Sequence, residues 1–417
     1  MIRKILICLL CSAFLALPAC IKEKKQTEEE NTPSAAQPQQ PGKVLDYLSL
    51  SAHFLINQQQ PDGFFRYEYD FITGNYTYWD NIIHQTRAGY TLIQYYIFLI
   101  RNNIDSQLAS IVLSSTVKAL KGYAASSVVH SDMPGKLISF YYNKSGISTP
   151  QTRKISPKHR IQRLEAEIAA TAFALMTEIS YWSATSDNTF AQDREEWRKA
   201  LIYHTQQALK TPAQKNPFMP HIWQAFAIYS QINPDDKEIA ELLPQLDAYF
   251  MTLPRYMKDV EDYTWDMIAA NQRYQMTQQQ SFVNFAARQT TRLLEDMYTQ
   301  HDTTINSCSL SLGLVEASLI LTGKTGDYAR IEQTALGRSQ LEYYSSLKYT
   351  ILPNQTWIAL GPGRTLHSQD FKRFAGASVF GMHMPRTNIG LIELCLLTGM
   401  RFSNEDIKEL KQRKDKE

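Results

Sequence analysis

Beyond its first twenty residues the chain has only two cysteines, Cys308 and Cys395, of five in all, and no Cys/His cluster or His-Glu-x-x-His spacing. A disulfide framework and a structural metal centre are therefore not expected, and no cofactor is indicated. Phosphate loops are missing as well. Gly361-Pro-Gly363 breaks a loop without the lysine of a nucleotide-binding turn, and Ser378 in Gly-Ala-Ser-Val-Phe-Gly does not form the Gly-x-Ser-x-Gly of a nucleophile elbow. Charge of one sign is scarce: 43 basic residues face 41 acidic ones, and loss of Arg3 and Lys4 with a leader would leave the two in balance. Nucleic acid is thus excluded as an expected partner. What remains is ordinary globular composition, 44% hydrophobic with 17 Gly and 17 Pro in 417 residues, enough for a large core.

The longest apolar run, Ile5–Ala16, follows Arg3 and Lys4 and ends at Leu17-Pro18-Ala19-Cys20. A cationic start, a short apolar stretch and small residues read as a secretory leader rather than a span. Leu17-Pro18-Ala19-Cys20 resembles the lipobox of bacterial lipoproteins, which implies that 1–19 is a signal peptide and that Cys20 carries the lipid. Ile21 occupies the position where Asp favours inner-membrane retention, so the same resemblance implies an outer-membrane lipoprotein, on its periplasmic or surface face. Residues 20–43 are rich in Glu, Gln, Pro and Lys and cannot bury enough apolar surface to fold, so they are expected to form a tether. Such a stretch spans roughly 25 Å as a flexible coil. The folded domain is expected over 44–417.

Across that domain helical periodicity dominates. It predicts about eleven helices: Val44–Gln59, Asn81–Arg101, Ser106–Tyr123, Ile161–Ser183, Asp193–Lys210, His221–Ile232, Lys237–Phe250, Trp265–Tyr298, Ser307–Leu321, Asp327–Leu347 and Thr387–Thr398. The non-helical islands Phe64–Tyr78, Lys136–Ser148 and Tyr349–Met384 are candidates for a loop layer on one face. No fixed-period repeat is found, which favours a closed ring of hairpins over an open solenoid. Cys308 and Cys395 both lie in apolar helical contexts, so a disulfide between them and two buried thiols both stay open.

Gln59, Gly63 and Phe65 match the Gln-x-x-x-Gly-x-aromatic element of α/α toroids such as the terpenoid cyclase and prenyltransferase-like group, which the chain resembles here. Tyr67-Glu-Tyr-Asp70, Asp80-Asn81 and Arg87-Ala-Gly89 are similar to segments of six-hairpin glycosidases and α/α-toroid proteins of bacterial envelopes, as are Asn306-Ser-Cys308 and Gly313-Leu-Val-Glu316. The resemblance implies a mainly α fold, an α/α toroid of about six hairpins with short β insertions. Within such rings activity varies from cyclase to glycosidase, lyase, epimerase and non-enzyme. The Asp-x-Asp-Asp signature of cyclases is absent.

Candidate chemistry gathers where inner helices of a toroid would start. Asp80, His84 and Arg87 recur at i, i+4 and i+7 and share a helix face, with His84 suited to proton transfer. Asp70 with Asp80 is the preferred carboxylate pair for glycoside chemistry, which needs two carboxyls flanking the bond. Asp80 also reads as a helix cap. Tyr67, Tyr69 and Trp79 supply aromatic faces for stacking on sugar rings, a role that competes with core filling. Arg364, Arg373 and Arg386 with His383 could clamp an acidic group, or form a solvated basic layer. Two expectations follow: a lipid-anchored toroid that binds, and in its catalytic form processes, an envelope glycan; or a non-catalytic scaffold that binds an envelope protein.

Overall fold

The computed structural model describes residues 43–417 except 78–79, 131–132, 144–145, 149–156, 212–215, 253–259, 300–306, 362, 382 and 415–417. Cys20, the leader, nearly all of the tether, and Trp79 lie outside the described residues. Among the described residues there are thirteen α-helices: α1 Val44–Gln58, α2 Ile82–Asn102, α3 Ser106–Ala125, α4 Pro157–Thr185, α5 Ala191–Lys210, α6 Met219–Ile232, α7 Lys237–Thr252, α8 Val260–Thr277, α9 Gln280–Thr299, α10 Ser307–Leu321, α11 Asp327–Ser346, α12 Ile389–Phe402 and α13 Asn404–Lys414.

The even helices close a ring. Helix α2 packs on α4, α4 on α6, α6 on α8, α8 on α10, α10 on α12, and α12 back on α2. Each odd helix from α1 to α11 packs outside its even neighbours, and α13 lies against α1 and α12. This is an α/α toroid of six hairpins, and the fold follows from the order of contacts alone. Inner helices run in one direction. Thr264 of α8 donates to the Ser309 carbonyl of α10 at 2.7 Å, and seven residues on, Asn271 meets Glu316 at 2.5 Å, so positions advance together along both helices.

Local signals explain the helix ends. The Asn81 side chain accepts from Ile83 N, Asp105 from Leu108 N and Asn388 from Leu391 N, each satisfying an amide that has no partner inside its helix. Periodicity predicts one helix over Trp265–Tyr298, yet the chain turns at Gln278, whose φ of 53° is left-handed. The Gln278 amide side chain donates to Tyr274 O at 3.1 Å and closes α8, while Thr277 Oγ1 accepts from Gln279 N at 3.4 Å to open α9. Residues 277–280, Thr followed by three glutamines, carry no Gly or Pro, so the sequence offers no breaker there. Helix α13 is likewise not anticipated by the periodicity.

Loops divide unequally between the two mouths of the ring. Links from inner to outer helices are short turns. The links from outer to inner helices carry the strands: β1 Glu68–Asp70 and β2 Asn75–Tyr76 before α2; β3 Ser127–Val129, β4 Lys136–Ile138, β5 Tyr141–Asn143 and β6 Gly146–Ser148 before α4; β7 Trp357–Gly361, β8 Arg364–His367 and β9 Arg386–Asn388 before α12. Strands β2-β1-β9 form an antiparallel sheet in which Tyr69 faces Thr387 and Asp70 faces Arg386. All three non-helical islands therefore decorate the mouth where the inner helices begin.

The Gln59 element ties the first hairpin to its neighbour. Gln59 Nε2 donates to Gly63 O at 3.0 Å and to Ser115 O at 2.9 Å, and Ser115 Oγ donates back at 2.7 Å. Gly63 sits at φ 95°, and a Cβ there would stand 2.2 Å from the Lys118 carbonyl, so only glycine fits. The glutamine thus closes α1 with its backbone, whose N–H donates to Ile56 O, and bridges the turn to the body of α3 with its side chain. Phe65 instead pairs its backbone with the Gln85 side chain, at 2.7 Å in both directions.

Three aromatic rings from successive inner helices meet inside the ring. Phe173 of α4, His221 of α6 and Trp265 of α8 pack ring on ring at 4.9–5.3 Å. Cys308 and Cys395 are joined, which links α10 to α12 across the last seam of the ring.

Candidate functional site

At the N-terminal mouth a cleft of about 250 Å³ opens between the starts of α2, α4, α6 and α8. Its walls include His84, Glu165, Phe218, His221, Glu261 and Trp265. The hairpin order brings these together from four separate stretches of chain, each in the first turns of its inner helix.

Arg87 organises the floor. Its side chain is fully buried and donates through Nε to Glu393 Oε2 at 2.5 Å, through Nη1 to Glu261, and through Nη2 to His84 Nδ1 at 2.6 Å. A guanidinium only donates, so Nδ1 of His84 is the acceptor and its ring N–H resides on Nε2. The guanidinium also lies 5.5 Å from the Trp265 ring. Space for this cluster is made by Gly390, where a Cβ would fall 2.0 Å from His84 Nδ1.

Two glutamates of the cleft have opposed proton affinities. Burial raises the Glu165 carboxyl above its ordinary value, and Glu165 makes no ion pair among the described residues. Burial would raise Glu261 too, but the Arg87 charge outweighs it, with His84 and the Arg87 hydrogen bond adding, and holds Glu261 at about 2. Its side chain keeps 42% of its exposure, so an ionised oxygen faces the opening. One carboxyl whose hold on its proton is strengthened by burial and one whose hold is weakened by Arg87, on inner helices α4 and α8, is an arrangement acid–base chemistry uses. His221 is neutral at working pH, since burial pushes it down to about 3. Among the described residues no group of three His, Cys, Asp or Glu side chains is placed to hold a metal.

The residues singled out from sequence fall into three groups. Tyr67, Asp80, His84 and Arg87 lie together: the Tyr67 ring is 5.7 Å from His84, and both Glu393 and burial raise the Tyr67 hydroxyl. Asp70 and Arg386 meet in the β-sheet, at 3.6 Å, with Arg386 also 3.1 Å from Glu68; the other Asp70 oxygen accepts from Ile72 N and Thr73 N, closing a turn. Tyr69 donates to Asp370 at 2.6 Å, and Arg373 is 3.8 Å from the same carboxylate. Arg364 meets His383 at 2.7 Å on the exposed surface. Of all these, only His84 contributes to the cleft wall. Glu165 and Glu261 were not singled out, because neither belongs to a motif and each becomes a cleft residue only when the ring closes.

Asp80 sits behind that wall. Its Oδ1 accepts from Gln85 Nε2 and Asn81 N, both at 2.8 Å, while buried Oδ2 has no partner. Burial pushes it up to about 6 despite those hydrogen bonds and the nearby His84. The native state then holds this proton more tightly than the unfolded chain, so the group's contribution is fully present below the ordinary value of 3.8 and is lost as pH rises through about 6. Asp80→Asn keeps the acceptor and stays uncharged. It is expected to raise unfolding free energy by roughly 1–3 kcal/mol near neutral pH and to change little near pH 4, as read by urea titration at both pH values.

No protein-family model matches the chain, and no curated protein matches it by sequence. Among solved structures it is similar to the GH76A α-1,6-mannanase from Salegentibacter sp., at 11% identity and a TM-score of 0.48, over 86% of this chain and 98% of that one. It is also similar to an endoglucanase from the termite Nasutitermes takasagoensis, at 11% identity and a TM-score of 0.49, over 87% and 99% of the two chains.

Proposed function

We propose that this protein is an outer-membrane lipoprotein, acylated at Cys20 and raised on residues 20–43, whose toroid binds and processes an envelope or extracellular glycan in the N-terminal cleft. The observation that carries the reading is the pair Glu165 and Glu261, which differ in proton affinity and line one cleft with the Trp265 and Phe218 rings. Glu165 serves as the proton donor to a leaving sugar oxygen, and Glu261, kept ionised by Arg87, acts as base or nucleophile. His84 offers its Nε2–H to a sugar hydroxyl. Tyr67, Asp80 and Arg87 hold that face in place, and the layer with Asp70, Tyr69, Arg364, Arg373, His383 and Arg386 forms the approach. The cleft bears Glu165, Glu261 and Asp262 against an arginine already paired, so it suits a neutral glycan better than an acidic one.

The scaffold reading has one observation behind it: Leu336, Leu341 and Tyr344 are exposed on the outer helix α11, a surface for a partner protein of the envelope. Release of reducing ends from a panel of neutral and acidic oligosaccharides separates the two. On the catalytic reading, Glu165→Gln and Glu261→Gln each lower the rate by about 100-fold or more while the fold is kept. Binding of glycan without turnover by the native chain would leave the toroid as a binding module, and loss of both would favour the scaffold.

A further inference from the structure

A second cleft, of about 240 Å³, opens at the opposite mouth of the ring, among the later turns of α2, α6, α8, α10 and α12. Trp265 lines both clefts, so its indole is the partition between them. Three features of the second cleft are unsatisfied, the first being the buried Trp265 Nε1, which has no acceptor. Gln224 is 1% exposed; its Nε2 donates to Tyr90 OH at 3.0 Å, but its Oε1 is buried with no partner. Turning the amide over would swap the two roles and still leave one polar end open. A buried amide oxygen without a donor costs about 1–3 kcal/mol, and a ligand hydroxyl would recover that. At the rim, Arg101 is exposed and makes no ion pair or hydrogen bond among the described residues. The other charges of this mouth cancel, since Arg401 donates to Glu316 at 2.7 Å.

We propose that this mouth is a second ligand site, for a single sugar or polyol that carries a carboxylate. A hydroxyl of the ligand meets the open end of Gln224, its ring lies among Trp265, Tyr90 and Phe98, and its carboxylate faces Arg101. The volume is below the roughly 300–1,000 Å³ of drug-sized sites, so the occupant is one small molecule and not a chain. The site shares only Trp265 with the lining of the glycan cleft, differs from it in charge and position, and does not depend on any reaction there.

D-Glucuronate and D-glucose are the probes, titrated calorimetrically into the full chain with Cys20→Ser to keep it soluble. Glucuronate is expected to bind more tightly than glucose. Gln224→Leu and Arg101→Gln are each expected to weaken glucuronate about tenfold, the loss of one hydrogen bond or one charge-assisted contact. Arg101 is exposed, so its replacement tests the site even where Gln224→Leu disturbs packing. Glu165→Gln leaves glucuronate binding unchanged. Absence of binding by either sugar at millimolar concentration overturns the proposal. So does glucuronate binding that survives both substitutions but is lost in Glu165→Gln, which would assign the ligand to the first cleft.

Discussion

Replacing Arg87 with Met is expected to cost about 3–5 kcal/mol of unfolding free energy, the penalty of stranding a buried charge. The charge in question is Glu393, fully buried, whose Oε2 is held by Arg87 and whose Oε1 has no partner. With the guanidinium gone, the carboxylate keeps on α2 only His84, 3.6 Å away, which offsets it only by taking up a proton, and Glu261 loses the charge that holds it at about 2. Arg87→Lys recovers only part, because an ammonium cannot reach Glu393, Glu261 and His84 from one plane. The decisive comparison is the pair Arg87→Met with Glu393→Leu, which replaces a buried ion pair by apolar volume and is expected to regain most of the loss. Urea unfolding of the four proteins measures this. A single substitution costing under about 1 kcal/mol would mean that Glu393 finds water or another partner, and that Arg87 does not organise the cleft floor.

How far the sequence disclosed this arrangement depends on how local each signal is. Helices α1 to α7 and α10 to α12 follow from apolar spacing and caps such as Asp105 and Asn388, because those forces act within a few residues. The break at Gln278 was invisible, since the left-handed turn is made by a side chain reaching back one helical turn and no residue type there forbids a helix. Ring closure is a different kind of fact. The pair His84 and Arg87 could be read from period 3.6 and does meet, at 2.6 Å, whereas Asp80 falls before the N-cap Asn81 and is not part of that helix face. The pair's partners Glu261 and Glu393 are 174 and 306 residues from Arg87. Each looks in sequence like an ordinary helical glutamate, and only the closing of α2 against α8 and α12 makes it a ligand of the arginine. The basic residues near the C-terminus show the converse. Arg364, Arg373 and Arg386 cluster in sequence, but each has its own partner: His383, Asp370, and the Glu68–Asp70 pair.

Reduction of the Cys308–Cys395 disulfide is expected to lower unfolding free energy by about 4.6 kcal/mol, the chain-entropy value for a loop of this size. The bond closes 87 residues, the whole of the final hairpin with its β7–β9 insertion, and it does so at the α10/α12 seam of the ring. A ring differs from a solenoid in that opening any one seam exposes the lumen face of two inner helices. Cys308 is fully buried, and Thr398 beside Cys395 donates to the Cys308 carbonyl at 3.0 Å, so the seam keeps a polar tie after reduction. Comparing oxidised and reduced native chain in urea isolates the cross-link from packing, which Cys308→Ser with Cys395→Ser would confound by leaving a hydroxyl in an apolar site. Dithiothreitol alone is expected to act slowly, because the thiolate must reach a sulfur the folded ring covers, and quickly once urea opens the seam. Equal stability of the two forms would show that the ring closes on its apolar contacts and that the bond adds nothing. The predicted loss, by contrast, would tie the toroid's stability to an oxidising compartment, as the proposed export would require.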